Sequence, residues 1–423
     1  PRRQRLRTVI LGAGIAGRLV LEELRRHRRL GYVPLGFLDD DPRKHRRTIS
    51  GLSVWGPLAS LPVVAQRHRL QMALLAIPSA SGALHRRVTH LARAAGLELR
   101  VVPGFYEILQ HDTAAGHVRP VSLEDFFRRP PVPFDVEAIR QRLTDKTVLI
   151  TGAAGSIGQE LCRQLAAFAP RQLLLVDHEE NNLYETSLFL RQRHSGLALQ
   201  VLVGDIRDRA RVRSVLQSYR PEVVYHAAAY KHVPIMEFSL IEAIKTNILG
   251  TAVLVEEAAR NGVGRFVLIS TDKAVNPSSV MGACKQFAEL TTLSAARRFP
   301  TTAFMVVRFG NVVPSRGNVI ERFSQQLARG GPITVTHPSM ERYFMTREEA
   351  AQLVMQASAW GRGGEIFILD MGRQIKVVEV AREMVRLAGL RPGRDIPIVF
   401  TGIRPGEKLQ EELTTPRERA RST

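Results

Sequence analysis

One arrangement restricts the fold more than any other, because it occurs twice: a short apolar run, a glycine-rich turn and an amphipathic segment. The first copy runs Thr8-Val9-Ile10-Leu11, then Gly12-Ala13-Gly14-Ile15-Ala16-Gly17, then an amphipathic stretch from Arg18 to Arg29. The second runs Thr147-Val148-Leu149-Ile150, then Thr151-Gly152-Ala153-Ala154-Gly155-Ser156-Ile157-Gly158, then a helix to Phe168. Strand, turn and helix in this order open a dinucleotide-binding sheet, whose three glycines reverse the chain, admit a pyrophosphate and pack helix on sheet. In each copy the next apolar run ends on an acid, Asp39 twenty-two residues after Gly17 and Asp177 nineteen residues after Gly158. An acid there hydrogen-bonds ribose hydroxyls and repels a 2′-phosphate, so NAD is expected over NADP.

The alternation continues beyond both turns. Apolar runs at Met72 to Ile77 and Glu98 to Val102, with a helix at Leu84 to Ala95 between them, predict a small parallel sheet closing near Arg119. Residues 121–145 contain Arg128-Arg129-Pro130-Pro131-Val132-Pro133 and read as a linker, since proline removes a donor and fixes φ. Further strands are expected at Leu199 to Val203, Val223 to His226, Arg265 to Ser270 and Ala303 to Phe309. After Gly310 the chain is loop-rich, and with the tail from Ile396 it is expected to form a cap over the strand ends, where open sheets bind ligands. The expectation is therefore α/β, two Rossmann-like doubly wound parallel-sheet domains at 1–120 and 146–423, the second carrying a small substrate cap.

Composition narrows the function. The formal charge is +20, divided as +11 over residues 1–145 and +9 over the remainder, and only 8 of the 60 basic residues are lysine. No aromatic ladder accompanies the arginines, so nucleic acid is not expected as a partner. An anionic membrane or a phosphorylated substrate suits the sign. Cys162 and Cys284 are too few for a disulfide framework or a cysteine zinc site, and no metal is expected. There is no apolar stretch of membrane-spanning length. The start at Pro1, inside the arginine run Arg2, Arg3, Arg5, Arg7, is of the kind that flanks a membrane helix, and a preceding segment is expected to have been removed.

The chemistry lies in the second half. Ser270-Thr271-Asp272-Lys273 follows the run Arg265 to Ile269, and Met281 and Lys285 then stand at i and i+4, on one helix face. These placements resemble the extended short-chain dehydrogenase/reductase family, which has a tyrosine and a lysine at that spacing. Asp205-Ile206, Ala227-Ala228-Ala229-Tyr230-Lys231-His232-Val233-Pro234, Thr246-Asn247, Ser270 to Pro277, Arg308-Phe309-Gly310-Asn311-Val312, the run from Gly331 to Thr346, and Arg404-Pro405-Gly406-Glu407-Lys408 sharpen the match. Together they are similar to the UDP-N-acetylglucosamine 4,6-dehydratases of bacterial polysaccharide and glycan biosynthesis, in the large membrane-anchored branch.

That resemblance implies a reaction in which C4 is oxidised by NAD, water is eliminated across C5 and C6, and C6 is then reduced. Adjacent residues at a strand end can face C5 and C6, so Lys273, as a neutral amine, would be the base and Asp272, as the protonated acid, would serve the C6 hydroxyl. The expected tyrosine is Met281, a difference the membrane-anchored branch shares. By elimination Thr271, with Asp272 or a water, would relay the C4 hydroxyl proton, while Lys285 would hold the nicotinamide ribose. The resemblance assigns Gly152, Gly155, Ser156, Ile157, Gly158, Asp177, Asp205, Ile206, Ala227, Ala228 and Ala229 to the cofactor. It assigns Lys231, His232, Asn247, Asn311, Arg316, Arg342, Arg404 and Glu407 to the substrate, arginine suiting a diphosphate because its planar fork donates two hydrogen bonds. It also implies a homo-oligomer at the cytoplasmic face of the bacterial inner membrane. Gly12, Gly14, Gly17 and Asp39 form a second candidate nucleotide site, with a purely structural or regulatory role equally open. Three rivals stand beside this reading: a 4-epimerase, a dehydratase that also inverts C5, and a non-catalytic nucleotide sensor or scaffold.

Overall fold

The computed structural model describes residues 5–27, 31–102, 119–120, 123–127, 134–315, 317–416, 418 and 420–423. The chain divides into two compact units, residues 1–132 and 133–423.

In the first unit, strand β1 (Leu6–Leu11) leads through the first glycine turn into helix α1 (Ile15–Arg26), followed by β2 (Tyr32–Leu38), β3 (Met72–Leu75), helix α2 (Gly82–Ala94), β4 (Glu98–Val101) and β5 (Arg119–Pro120). The sheet order is β2-β1-β3-β4-β5. Alternate side chains serve opposite faces, Val9 and Leu11 entering one core and Ile10 the other. The expectation of a wholly parallel sheet fails at one edge, where β5 runs antiparallel to β4. Proline at the end of β5 suits an edge, since it has no N–H to offer a further strand. Helix α2 begins two residues before the expected Leu84, because the Ser81 hydroxyl accepts the Leu84 backbone N–H at 3.3 Å and sets the start there.

The second unit begins earlier than the sequence pattern indicates. Within the stretch read as a linker, helix α3 (Val136–Leu143) is capped by the Asp135 carboxylate, which accepts from Ala138 N–H at 2.9 Å. It buries Ile139 and Leu143, one turn apart, in the second core. Upstream, Phe126 and Phe127 of a 3₁₀ turn are buried in the first unit, and Arg86 donates to the Phe126 carbonyl at 2.8 Å. The proline run at 130–133 lies outside the described residues.

The second sheet has seven parallel strands: β6 (Thr147–Thr151), β7 (Gln172–Asp177), β8 (Leu199–Val203), β9 (Val223–His226), β10 (Arg265–Thr271), β11 (Ala303–Phe309) and β12 (Ile366–Ile368). Their spatial order is β8-β7-β6-β9-β10-β11-β12. One core forms against α3, α4 (Ser156–Ala166), α5 (Glu180–Arg193) and α9 (Arg347–Trp360). The other forms against α6 (Arg209–Tyr219), α7 (Thr251–Arg260) and α8 (Val280–Arg298). The strand order reverses between β6 and β9, and a doubly wound sheet binds its ligand outside the carboxyl ends at such a reversal. Among the described residues no helix is long and apolar enough to cross a membrane, and no cluster of His, Cys, Asp and Glu could hold a metal ion.

Beyond β11 the chain makes small two-stranded pairings, Asn311–Val313 with Phe344–Thr346 and Ile333–Val335 with Ile398–Phe400, together with helices Val319–Ala328 and Val377–Leu387. The tail then returns to the main sheet through one buried arginine. Arg308 on β11 pairs with Glu289 of α8 at 2.7 Å, with Glu418 at 3.0 Å and with the Leu413 carbonyl at 2.9 Å. Removing one member of a buried pair leaves the other charge uncompensated. Arg308→Met is therefore expected to lower unfolding free energy by about 3–5 kcal/mol, read by denaturant titration, and to expose the tail to limited proteolysis.

Candidate active site

The second glycine turn is packed too closely to admit side chains at two of its glycines. Gly152 has φ +71°, and a Cβ there would lie 2.5 Å from the Ala228 nitrogen; at Gly158 a Cβ would lie 2.0 Å from the Gly152 carbonyl oxygen. The turn after β6 and the Ala227 to Ala229 loop after β9 thus touch at the point where the strand order reverses. Helix α4 starts at Ser156 and Ile157 with Gly155 as its N-cap and no side-chain cap bond, which aims its N–H groups toward the crevice. These residues suit a dinucleotide pyrophosphate.

Asp177, at the end of β7, accepts Ala154 N–H at 2.9 Å on one oxygen and Glu179 N–H at 3.0 Å on the other. An ionised carboxylate has about four acceptor positions; His178 Nδ1 lies 3.4 Å from Oδ1, while Oδ2 keeps a position for a ribose hydroxyl. The first unit repeats this device with a difference. Asp39 accepts Ala13 N–H at 2.7 Å and Asp41 N–H at 2.9 Å, but Lys44 also donates to the oxygen already taken by Ala13, at 2.9 Å. Burial alone would raise the Asp39 carboxyl; Lys44 and the two backbone donors outweigh it and hold it below its usual range. Gly12 has φ +103° and a Cβ on Gly17 would lie 1.9 Å from the Gly12 carbonyl, so backbone conformation and packing require these two glycines, while Gly14 has open space beside it.

At the end of β10 three consecutive side chains converge. The Thr271 hydroxyl donates to Asp272 Oδ1 at 2.9 Å, and Lys273 Nζ donates to the same oxygen at 2.9 Å and to Asn311 Oδ1 at 3.1 Å. Asp272 is 0% exposed, and its Oδ2 has no hydrogen-bond partner among the described residues. Gly310 crosses directly over that oxygen, where a Cβ would come within 3.1 Å. Sequence reasoning missed a second carboxylate here. Glu411, 4% exposed, brings Oε1 to 3.9 Å from Lys273 Nζ and 3.7 Å from Arg342, while its Oε2 is also unpartnered. Burial pushes the Glu411 carboxyl above its ordinary range; Lys273 opposes this and Asp272 reinforces it.

Helix α8 presents Met281 and Lys285 on one buried face, as their spacing requires. Met281 packs with Met236, Ala243 and Cys284, against which Tyr230 and Val233 lie. Lys285 donates to the Ile269 carbonyl at 2.6 Å, and burial brings it down to about 8. Ser270 faces elsewhere, donating to Glu289 at 2.5 Å.

Several residues expected to bind substrate are committed to the protein itself. Both ends of the Asn247 amide bond the Tyr230 backbone, at 2.8 and 2.9 Å, so Asn247 fixes the loop that carries Lys231 and His232. Arg342 is buried and donates to the carbonyls of Glu341, Lys408 and Leu409, holding the tail in place. Arg404 is paired with Glu407 at the surface, and Asp205 with Arg207 at 2.6 Å. Ile206 is buried against Gly250. Lys231 and His232 are exposed, the His232 ring lying over Gly317. Arg316 lies outside the described residues. The type of a residue indicates what it can donate; packing decides to whom.

With this geometry in view, comparison with known proteins is specific. Residues 148–423 match the family described as polysaccharide biosynthesis protein, and residues 1–103 match the CoA-binding domain family. The chain belongs to the polysaccharide biosynthesis protein family. Within it, the chain is 43% identical over 413 residues to the probable polysaccharide biosynthesis protein EpsC of Bacillus subtilis, spanning 97% of this chain and 69% of EpsC. It is 42% identical over 413 residues to the capsular polysaccharide biosynthesis protein CapD of Staphylococcus aureus, with the same coverage. Among solved structures, Pen from Bacillus thuringiensis is similar at 35% identity and TM-score 0.60, covering 64% of this chain and 83% of Pen. The dTDP-glucose 4,6-dehydratase DesIV of Streptomyces venezuelae, at 23% identity and TM-score 0.56 over 63% of this chain and 88% of its own, shares the fold. The second unit thus has the extended short-chain dehydrogenase/reductase architecture.

One buried group in this family member reports on the floor of the crevice. His226, at the end of β9, bonds Thr151 at 2.7 Å and Thr251 at 3.0 Å, and burial, with Lys285 nearby, pushes it down to about 3. Between about 3 and 6.5 the unfolded chain binds a proton that the folded chain does not, so stability falls as pH falls through that window. The melting temperature is expected to drop more steeply below about pH 6.5 in the unaltered protein than in His226→Gln, measured by calorimetry across a pH series.

Proposed function

We propose that the second unit is an NAD-dependent UDP-N-acetylglucosamine 4,6-dehydratase forming a UDP-4-keto-6-deoxy-N-acetylhexosamine. The observation that carries this reading is the adjacent acid and amine at the end of β10, 2.9 Å apart and sharing one oxygen with the Thr271 hydroxyl. An epimerase needs no acid at C6, whereas an elimination across C5 and C6 needs an acid and a base side by side. Kinship with polysaccharide biosynthesis proteins supports a sugar substrate, and the likeness to extended short-chain dehydrogenase/reductase folds supports a nucleotide-linked one.

Gly152, Gly155, Gly158 and the start of α4 would hold the pyrophosphate, Asp177 the adenosine ribose and Lys285 the nicotinamide ribose. When bound, the nicotinamide would supply hydride exchange, accepting hydride from C4 first and donating it to C6 last. The protein's own residues move the protons. Thr271 passes the C4 hydroxyl proton to Asp272 along the bond they already share, which removes the need for a tyrosine at Met281. Asp272 gives that proton to the departing C6 hydroxyl, which leaves as water. Lys273 removes the C5 proton and later returns it, held on its course by Asn311. Every proton taken is thereby delivered.

The arginines at positions 2, 3, 5 and 7 support action beside an anionic membrane surface. For the first unit, the match to CoA-binding domains supports a nucleotide-sized ligand at the Gly12 to Gly17 turn. Because Lys44 occupies part of Asp39, that acid is less able than Asp177 to receive ribose hydroxyls.

Incubation with UDP-N-acetylglucosamine is expected to yield a product lighter by one water, read by mass spectrometry; an unchanged mass refutes the dehydratase. Lys273→Met and Asp272→Asn are expected to cut kcat by about 10²–10⁴ with KM within a few-fold, the range for loss of a general base or acid. Full turnover by both variants would refute Lys273 and Asp272 as base and acid, and no turnover by the unaltered protein with any UDP-sugar would favour the sensor reading.

A further inference from the structure

In the resting arrangement Lys273 and Asp272 are bonded as a pair at 2.9 Å, and an ammonium cannot remove the C5 proton. Once Asp272 has received the C4 hydroxyl proton, Lys273 must lose one of its own. Solvent is poorly placed to take it, because Asp272 is fully buried and Lys273 largely so.

Glu411 meets the requirement. Its carboxylate comes from the returning tail, and the tail is fixed from four directions. Gln374 bonds both the N–H and the carbonyl of Glu411, Lys408 donates to the Val275 carbonyl at 2.8 Å, Arg342 holds the carbonyls of Lys408 and Leu409, and Arg308 holds Leu413 and Glu418. A tail fastened so thoroughly places one buried carboxylate 3.9 Å from the catalytic amine, with one oxygen free of any partner among the described residues. The charged groups that face it are Lys273 and Asp272 from the end of β10, Arg342 from the cap, and Lys408 from the tail itself. Three cations surround the carboxylate, and Oε1, the oxygen nearest Lys273, is positioned to receive its proton while Oε2 has no partner among the described residues.

We propose that Glu411 is the positioning residue of the elimination, receiving the proton that Lys273 must shed before it can act as base and restoring it afterwards. This rests on the dehydratase reading. The balance closes within the cluster. Glu411 takes H⁺ from the Lys273 ammonium as Asp272 takes H⁺ from the C4 hydroxyl. The Lys273 amine then breaks the C5–H bond, keeping its proton, while Asp272 protonates the oxygen leaving C6. After C6 is reduced, Lys273 returns its proton to C5 and Glu411 returns its own to Lys273. All three groups end as they began, and the one proton released from the C4 hydroxyl departs in the water. A small movement of the Lys273 side chain closes the 3.9 Å gap to hydrogen-bond length.

The test uses the full chain carrying Glu411→Gln, which preserves shape but cannot accept the proton, with Glu411→Asp as the conservative variant. In single-turnover experiments with UDP-N-acetylglucosamine, absorbance of the reduced nicotinamide reports the first step and product mass reports the elimination. The unaltered protein is expected to eliminate at a rate nearly independent of pH around neutrality. In Glu411→Gln the first step is expected to persist while elimination slows by about 10²-fold or more, with KM within a few-fold, and to recover as pH rises because hydroxide then deprotonates Lys273. Glu411→Asp is expected to restore part of the rate. Equal rates and equal pH profiles in the unaltered protein and Glu411→Gln overturn the assignment of Glu411 and leave the dehydratase reading standing. Loss of both steps together with a lowered melting temperature also overturns it, in favour of a merely structural role. Failure of the unaltered protein to reduce its nicotinamide or lose water overturns the dehydratase reading as well. A readout without substrate stands apart from these: carbon NMR of labelled glutamate is expected to show one carboxyl, absent in Glu411→Gln, titrating above the ordinary range, and an ordinary titration there counts against the proposal.

Discussion

Everything at the candidate site follows from the burial of one carboxylate. Asp272 has no solvent exposure, and an isolated buried charge is costly enough that it must be paired or protonated. Lys273 provides the pairing, and Thr271 provides a hydroxyl on the same oxygen. The remaining oxygen lies under Gly310 with no partner among the described residues. A fully satisfied ion pair would be a stabilising contact without chemistry.

The sheet explains why that carboxylate lies where a dinucleotide can reach it. Strand order reverses between β6 and β9, and the glycine turn after β6 leaves no room for a side chain at Gly152, which is pressed against the Ala227 to Ala229 loop, or at Gly158, which is pressed against the turn itself. Strand β10 runs beside β9 and ends one residue before Asp272. Cofactor cradle and acid–amine pair are thus fixed to neighbouring strands of one rigid sheet, and sites on rigid elements hold their geometry better than sites on loops.

Much of this was legible in the sequence, because it depends on local pattern. Apolar runs, glycine spacing and the terminal acids of two strands predict both Rossmann-like units, and the i, i+4 relation places Met281 and Lys285 on one face. What local pattern could not supply is the identity of long-range partners. Glu411 reaches Lys273 only because Arg308, Arg342 and Gln374 fasten the tail, and none of those contacts leaves a periodic trace. Arg342 and Asn247 have the donors a sugar nucleotide would want, yet both spend them on backbone atoms. The start of the second unit was misplaced for a similar reason: proline-rich neighbours obscured the short helix whose Ile139 and Leu143 enter the core.

The central claim is that one bound sugar is oxidised at C4, loses its C6 hydroxyl and is reduced at C6 without releasing any intermediate. UDP-N-acetylglucosamine carrying deuterium at C4 tests this most directly, by NMR and mass spectrometry of the product. The account predicts loss of one water and transfer of the deuterium from C4 to C6 within the same molecule. Deuterium retained at C4, or a product with its water intact, would contradict it.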